Sequence, residues 1–171
     1  MENWYVIQVR SGHEHQIAQS CRFRIADDIL KECFIPEYKT RKKYRGQWHD
    51  VQAVLFKGYV FMISDQVDEL FNELKKIPDL TKMIGKKKDI IYPLPEHEVH
   101  FLQSFSDDEH LVDMSYGFIE GDKITITQGP LMGKEGSIRK IDRHKRIAYI
   151  EVEFLNQIST VKIGLEIISK T

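Results

Sequence analysis

The chain has 171 residues, 42% of them hydrophobic, and sets 25 Lys and Arg against 26 Asp and Glu for a formal net charge of −1. That is enough apolar material for one or two small cores, and it excludes a disordered chain. The longest apolar runs are a few residues, far short of the ~20 a membrane-spanning helix needs, and the opening MENWYV has no basic segment followed by an apolar one, so a cytoplasmic protein with no membrane partner is expected.

Trp4 to Val9 alternates apolar and aromatic residues and reads as a strand. Ser11 and Glu14 have the spacing of a capping box, and Ile17, Cys21, Ile25 and Ile29 then recur every four residues as one face of an amphipathic helix. Cys33 to Ile35 is a short strand that Pro36 keeps at a sheet edge. Cys21 and Cys33 are too few and too widely spaced for a zinc knuckle or a CxxC site, so both are expected reduced and buried. Glu37 to Gln52 is dense in cations and turns at Gly46 between Tyr44 and Trp48, an exposed basic hairpin. Val51 to Ile63, VQAVLFKGYVFMI, is the most apolar stretch and reads as a central strand. Val67, Leu70, Phe71 and Leu74 mark a second helix before Pro78, and Val99, Leu102 and Phe105 a third after Pro95. These elements predict an α+β domain over 1–105, with helices packed on an antiparallel sheet.

Asp107, Asp108, Glu109 and Asp113 have no Lys or Arg among them, and 106–116 reads as a flexible acidic linker. Beyond it, Ile124 and Ile126 alternate with Lys123, Thr125 and Thr127, Gly129-Pro130 and Gly133 turn the chain, and alternation resumes after Gly136 with Ile138 and Ile141. IAYIEVEF from Ile147 to Phe154 and the run Ile158 to Ile168 complete a small all-β domain over 117–171.

Charge is patterned despite its balance, in three basic stretches: Lys39, Arg41, Lys42, Lys43 and Arg45; Lys86 to Lys88; and Lys134, Arg139, Lys140, Arg143, Lys145 and Arg146 beside His144. The last stretch sets six Lys and Arg against Glu135 and Asp142, an excess of four. In the first, cations interleave with Tyr38, Tyr44 and Trp48, a composition that pairs phosphates and stacks bases; the plainer reading of either stretch is a solvated turn. Enzyme chemistry has little support. His97-Glu98-Val99-His100 is one residue short of the HExxH spacing that places two histidines on one helix face for zinc, and no nucleophile elbow, phosphate loop or dinucleotide fingerprint is present. A metal-dependent enzyme is the alternative from another class; no catalytic residue, metal or cofactor is expected.

GDKITITQGPLMGKEGSIRKID resembles the KOW motif of the NusG family of transcription elongation factors. WYVIQVRSGHEHQIA is similar to the opening of that family's N-terminal domain, and VLFKGYVFM to one of its strands, so the resemblance spans nearly the whole chain. It implies a monomer whose N-terminal domain docks on the clamp helices of RNA polymerase, joined to a small SH3-like KOW barrel, with the non-template DNA strand as a further partner. The docking positions carry over as Trp4, Phe56 and Tyr59, with Tyr5 and Phe61 as neighbours. Two departures stand out: Lys57 replaces a proline, and Leu155-Asn156-Gln157 stands where the general factor has Phe-Gly-Arg, the tip associated with ribosome coupling. The second departure, with the cations of Arg139 to Arg146, makes the chain similar to the specialised LoaP-type antiterminators, and implies a leader RNA hairpin bound at Lys134, Arg139, Lys140, Arg143, His144, Lys145 and Arg146. The strand at Lys42 and Lys43 is then a separate nucleic-acid contact, not required for that hairpin. A general elongation factor and a ribosome-associated KOW protein are the competing readings.

Overall fold

The computed structural model describes residues 2–78, 80–84, 86, 87 and 90–171, with only the backbone path at 80–84, 86, 87, 90 and 91, so the basic run Lys86 to Lys88 lies outside the described residues as far as its charges are concerned. In chain order the elements are β1 (Asn3–Val9), α1 (Glu14–Arg24), β2 (Glu32–Phe34), β3 (Glu37–Tyr44), β4 (Gln47–Val54), β5 (Tyr59–Ser64), α2 (Val67–Leu74), β6 (Leu80–Ile84), β7 (Lys86–Lys87), β8 (Ile90–Ile91), α3 (Glu96–Phe105), β9 (Leu111–Val112), β10 (Ser115–Glu120), β11 (Lys123–Gln128), β12 (Ile138–Asp142), β13 (Ile147–Phe154) and β14 (Gln157–Lys170). They form two compact units, Met1–Ile35 with Phe56–Val99, and Pro36–Leu55 with His100–Thr171. The β3–β4 hairpin thus leaves the N-terminal α+β unit and belongs to the β-rich unit, a division that differs from 1–105 and 117–171.

The first unit is built on a sheet of order β2-β5-β1-β6, with β1 antiparallel to β5 and β2 at the edge that Pro36 dictates. Register sorts its side chains. Trp4, Val6, Phe34, Phe61 and Ile63 share one face, because Trp4 pairs with Ile63, Val6 with Phe61 and Phe34 with Phe61. Tyr5, Ile7, Cys33, Val60 and Met62 take the other. On that side the Cys21 and Cys33 sulfurs are hydrogen-bonded, which with burial pushes the Cys33 thiol up; both are free and buried, as expected. Helix α1 starts differently from the expectation. Ser11 does not cap it; the Gly12 N–H donates to the Glu14 carboxylate, which reaches back alone. The helix stops at Arg24, since Ile25 is already extended (ψ 133°), and Ile29 lies beyond it. The run Val51 to Ile63 is likewise two strands, not one. The chain breaks between Val54 and Tyr59, where the Gly58 carbonyl accepts from Val9 N–H, and only β5 is central.

In the second unit a five-stranded sheet runs β11-β10-β14-β13-β12, with β10 and β14 parallel and the other pairs antiparallel, and a three-stranded sheet runs β4-β3-β9. Strands β11 and β12 are the edges of the larger sheet, and no closing pair joins them among the described residues. Ile126, Leu131, Ala148, Ile150, Val152, Phe154, Val161, Ile163 and Leu165 fill its core. The stretch 106–116, expected to be flexible, is folded here. Asp107 accepts from the Glu109 and Leu111 N–H groups, Leu111–Val112 pairs with β3, and Leu111, Val112, Met114 and Ser115 are buried. The Asp107 carboxylate closes a turn, and the apolar side chains supply a strand.

The Gly129-Pro130 turn is fixed by contact. Gly129 has φ +102°, and a Cβ there would lie 2.6 Å from Ser115 Cα. Ser115 is fully buried, and its hydroxyl accepts the Leu131 N–H at 3.0 Å. Replacing Ser115 by Ala strands that buried donor, so Ser115→Ala is expected to destabilise the β-rich unit by ~1–3 kcal/mol in urea unfolding, and a variant as stable as the parent would remove Ser115 from the turn's support.

Candidate nucleic-acid interface

The hairpin β12–β13 closes with Asp142 opposite Ile147, leaving Arg143, His144, Lys145 and Arg146 as a four-residue loop. Asp142 Oδ1 accepts the Lys145 N–H at 3.0 Å, and Arg146 takes a left-handed conformation at φ 54°. The carbonyl of Arg146 accepts from Leu165 N–H at 3.0 Å and from the Thr40 hydroxyl at 3.3 Å, so the strained residue is held from two sides. Arg143, His144 and Lys145 are left exposed.

The other cations of this stretch are partly committed. Arg139 pairs with Glu151 at 3.1 Å and donates to the Gly136 carbonyl at 2.6 Å. Lys140 and Lys162 sit 5.5 Å and 5.7 Å from the centre of the Tyr149 ring. Lys134 is half-buried, 6.0 Å from the Phe105 ring. Its neighbour Glu135 is turned to the backbone, where main-chain N–H groups of Glu135 itself and of Ile126 and Gly133 hold its carboxyl below the usual range.

The β3–β4 hairpin turns at Arg45 and Gly46, both at positive φ, the two-residue geometry that matches strand twist. Register pairs Arg41 with Asp50 and Lys43 with Trp48, so these four share a face. At the tip, Arg45 lies 5.3 Å from the Tyr44 ring and His49 6.2 Å from it. Tyr44 and Trp48 are exposed, but Tyr38 is buried and its hydroxyl is pushed up by burial, so of the three aromatics only two can meet a base.

The two basic segments, far apart in sequence, meet. The Arg146 guanidinium lies 3.8 Å over the Trp48 ring. Glu166 stands between Arg146 and Arg41, at 3.7 Å and 3.8 Å, and Arg41 also pairs with Asp50 at 3.1 Å. At Gly164 a Cβ would collide with the carbonyl of Lys39, so the strand carrying Lys39 to Lys43 lies directly against β14. Sequence reading names the cations but misses Thr40, Gly164 and Glu166. No local pattern marks them, because their role is contact with a segment distant in the chain.

The aromatic residues of the N-terminal unit do not form one exposed surface. Trp4, Phe34, Phe56 and Phe61 are a buried cluster, with Trp4 5.0 Å from Phe34, Phe34 5.5 Å from Phe61 and Phe56 5.8 Å from Phe61. Tyr5 is buried on the opposite face of the sheet, and burial pushes its hydroxyl up. Tyr59, across from Gln8, is half-buried, and the other four are buried. Among the described residues no group of three or more His, Cys, Asp and Glu is arranged to hold a metal ion, and no helix is long and apolar enough to cross a membrane.

Residues 2–103 match the family model described as transcription termination factor NusG, and residues 120–152 match the KOW motif. The chain is 22% identical over 175 residues to the transcription termination/antitermination protein NusG of Pasteurella multocida, covering 99% of this chain and 96% of that one. It is 26% identical over 152 residues to the protein of that name from Streptococcus pyogenes, covering 84% and 83%. A solved structure of Thermotoga maritima NusG, described by its domain interaction, has the same fold at a TM-score of 0.57, with 20% identity over 96% of this chain and 94% of that one.

Trp4 and Trp48 are the two tryptophans, 5% and 38% exposed, so acrylamide quenching reports mainly on Trp48. A cation over an exposed ring is worth ~0.5–1 kcal/mol, enough to keep the ring covered most of the time. Arg146→Ala should therefore raise quenching of Trp48 while Trp4 stays protected; unchanged quenching would mean that the stack is not populated in solution.

Proposed function

The chain belongs to the NusG family, and from that footing we propose that it is a specialised transcription elongation and antitermination factor, engaging RNA polymerase through its N-terminal unit and an RNA hairpin through its KOW segment. Contact with polymerase is supported by family membership and by the aromatic set near Tyr59. Because Trp4, Phe56 and Phe61 are core, their part is to shape the surface at Tyr59, which makes the contact with the clamp helices. The five-stranded sheet serves as the wall of a small SH3-like barrel, and 117–171 acts as the RNA-binding module.

The observation that carries the RNA reading is the β12–β13 loop, where Arg143, His144 and Lys145 are exposed on a turn held by Asp142 and by the Arg146 carbonyl. A fixed turn presenting cations suits the phosphates flanking an RNA groove, where shape and backbone are read more readily than base edges. The competing reading, a general elongation factor, is favoured by the names of the relatives. Against it stands the β13–β14 turn, where Leu155-Asn156-Gln157, with Leu155 and Asn156 at φ 56° and 60°, replaces the Phe-Gly-Arg tip linked to ribosome coupling.

Two measurements test this reading. Tyr59→Ala should weaken retention on core polymerase at least about tenfold while the chain still unfolds cooperatively, as expected for an interface anchor; full retention would move docking elsewhere. Charge reversal at Arg139, Lys140, Arg143 and Lys145 should remove binding of a stem-loop leader RNA and flatten its logarithmic salt dependence by ~0.7–0.9 units per lost phosphate contact. A scrambled hairpin bound equally well by the parent chain would favour the general factor.

A further inference from the structure

We propose that the β3–β4 hairpin is the second arm of the RNA site, and that Trp48, at the junction of the two arms, stacks an unpaired base of the bound stem. The inference rests on the RNA-binding reading above and replaces the separation of Lys42 and Lys43 from that site.

Three observations carry it. The first is the distribution of acids. Asp113, Asp50 and Glu151 are engaged with Lys39, Arg41 and Arg139 on the strands, and Glu166 with Arg41 and Arg146 where the two hairpins meet. Lys42, Lys43 and Arg45 at one tip, and Arg143 and Lys145 at the other, have no carboxylate within ion-pair distance among the described residues, and all five are exposed. Cations without a protein counter-charge are the ones that release counterions when they meet phosphates. The second is continuity. Arg146 closes the β12–β13 loop, stacks on Trp48 and shares Glu166 with Arg41, so the two sets of free cations flank one joined seam.

The third is the aromatic surface at that seam. Arg146 covers one part of the Trp48 ring, yet the residue keeps 38% of its area open, next to Lys43 on the same face of the hairpin. A base laid on the open part extends an arginine–tryptophan stack into arginine–tryptophan–base, with its phosphate in reach of the neighbouring lysine. A fully paired stem keeps its bases stacked on each other and offers none to Trp48. The surface therefore fits a stem interrupted by an unpaired nucleotide, with phosphates on either side held by the two tips.

The experiment uses the full chain and three probes at several salt concentrations: a stem-loop RNA with one bulged adenine, the same stem-loop fully paired, and duplex DNA of the same sequence. Because phosphate contacts supply sequence-independent affinity, binding at low salt does not require a native target. The triple variant Lys42→Ala, Lys43→Ala and Arg45→Ala should weaken both RNAs and reduce the logarithmic salt slope by about 2 units. Trp48→Ala should weaken the bulged RNA about tenfold or more and the paired stem by less than about twofold, while Trp48→Phe, which keeps a stacking ring, recovers most of the loss. Circular dichroism establishes that each variant is folded. If the triple variant keeps parental affinity and slope while Arg143→Ala with Lys145→Ala loses both, the RNA site is confined to the β12–β13 loop and this inference falls alone. Equal effects of Trp48→Ala on bulged and paired stems, or tighter binding of the DNA, also overturn it. Failure of the parent chain to bind either RNA at low salt overturns the RNA-binding reading as well.

Discussion

With only hydrogen at Gly164, the carbonyl of Lys39 lies against strand β14, and the arrangement of cations in the β-rich unit depends on that approach. A methyl group there would push β3 away and carry Arg41 from Glu166 and Trp48 from Arg146. The ion pairs across the seam are weak supports, since partly exposed pairs of this kind contribute ~0–1 kcal/mol and fade with salt. Close packing and the two hydrogen bonds on the Arg146 carbonyl hold the seam instead, and the charges then fall where the backbone puts them.

That order of causes bears on function. An interface held by its own ion pairs would loosen in the salt that competes with a nucleic acid. Here the acids along the strands and at the seam are occupied, while Lys42, Lys43, Arg45, Arg143 and Lys145 at the tips have no carboxylate in ion-pair distance among the described residues, so the cations offered to phosphates are distinct from the contacts that keep the unit folded. The chain's near-zero net charge conceals this, because its acids lie largely elsewhere.

The N-terminal unit follows a different constraint. Its central strands β1 and β5 are apolar on both faces, so neither face can be given over wholly to a partner. Large aromatics packed 5.0–5.8 Å apart are costly to expose, and they give a rigid base to Tyr59, the half-buried member of the five expected docking residues. Rigidity beneath an anchor limits the ordering cost of binding.

Period-two alternation in Trp4 to Val9 and Ile147 to Phe154, helical spacing in Val67 to Leu74, and the glycines at Gly46 and Gly129 were enough to place most strands, two of the helices and the turns, and the KOW-like motif was enough to suggest the family. Local signals misled where a contact overrode them: Ser11 before a helix with no side-chain cap, where Gly12 N–H donates to Glu14 instead, an apolar run broken at Gly58, and an acidic stretch whose Asp107 closes a turn. Alternation says which side chains share a face of a strand, but not which strand lies beside it. Only the tertiary structure could show that both faces of the sheet are covered, so that Trp4 and Tyr5 are both buried, and only it could bring Trp48 to Arg146 and Arg41 to Glu166. Those contacts join segments about a hundred residues apart in the chain, and they are set by chain packing that no local window of sequence contains.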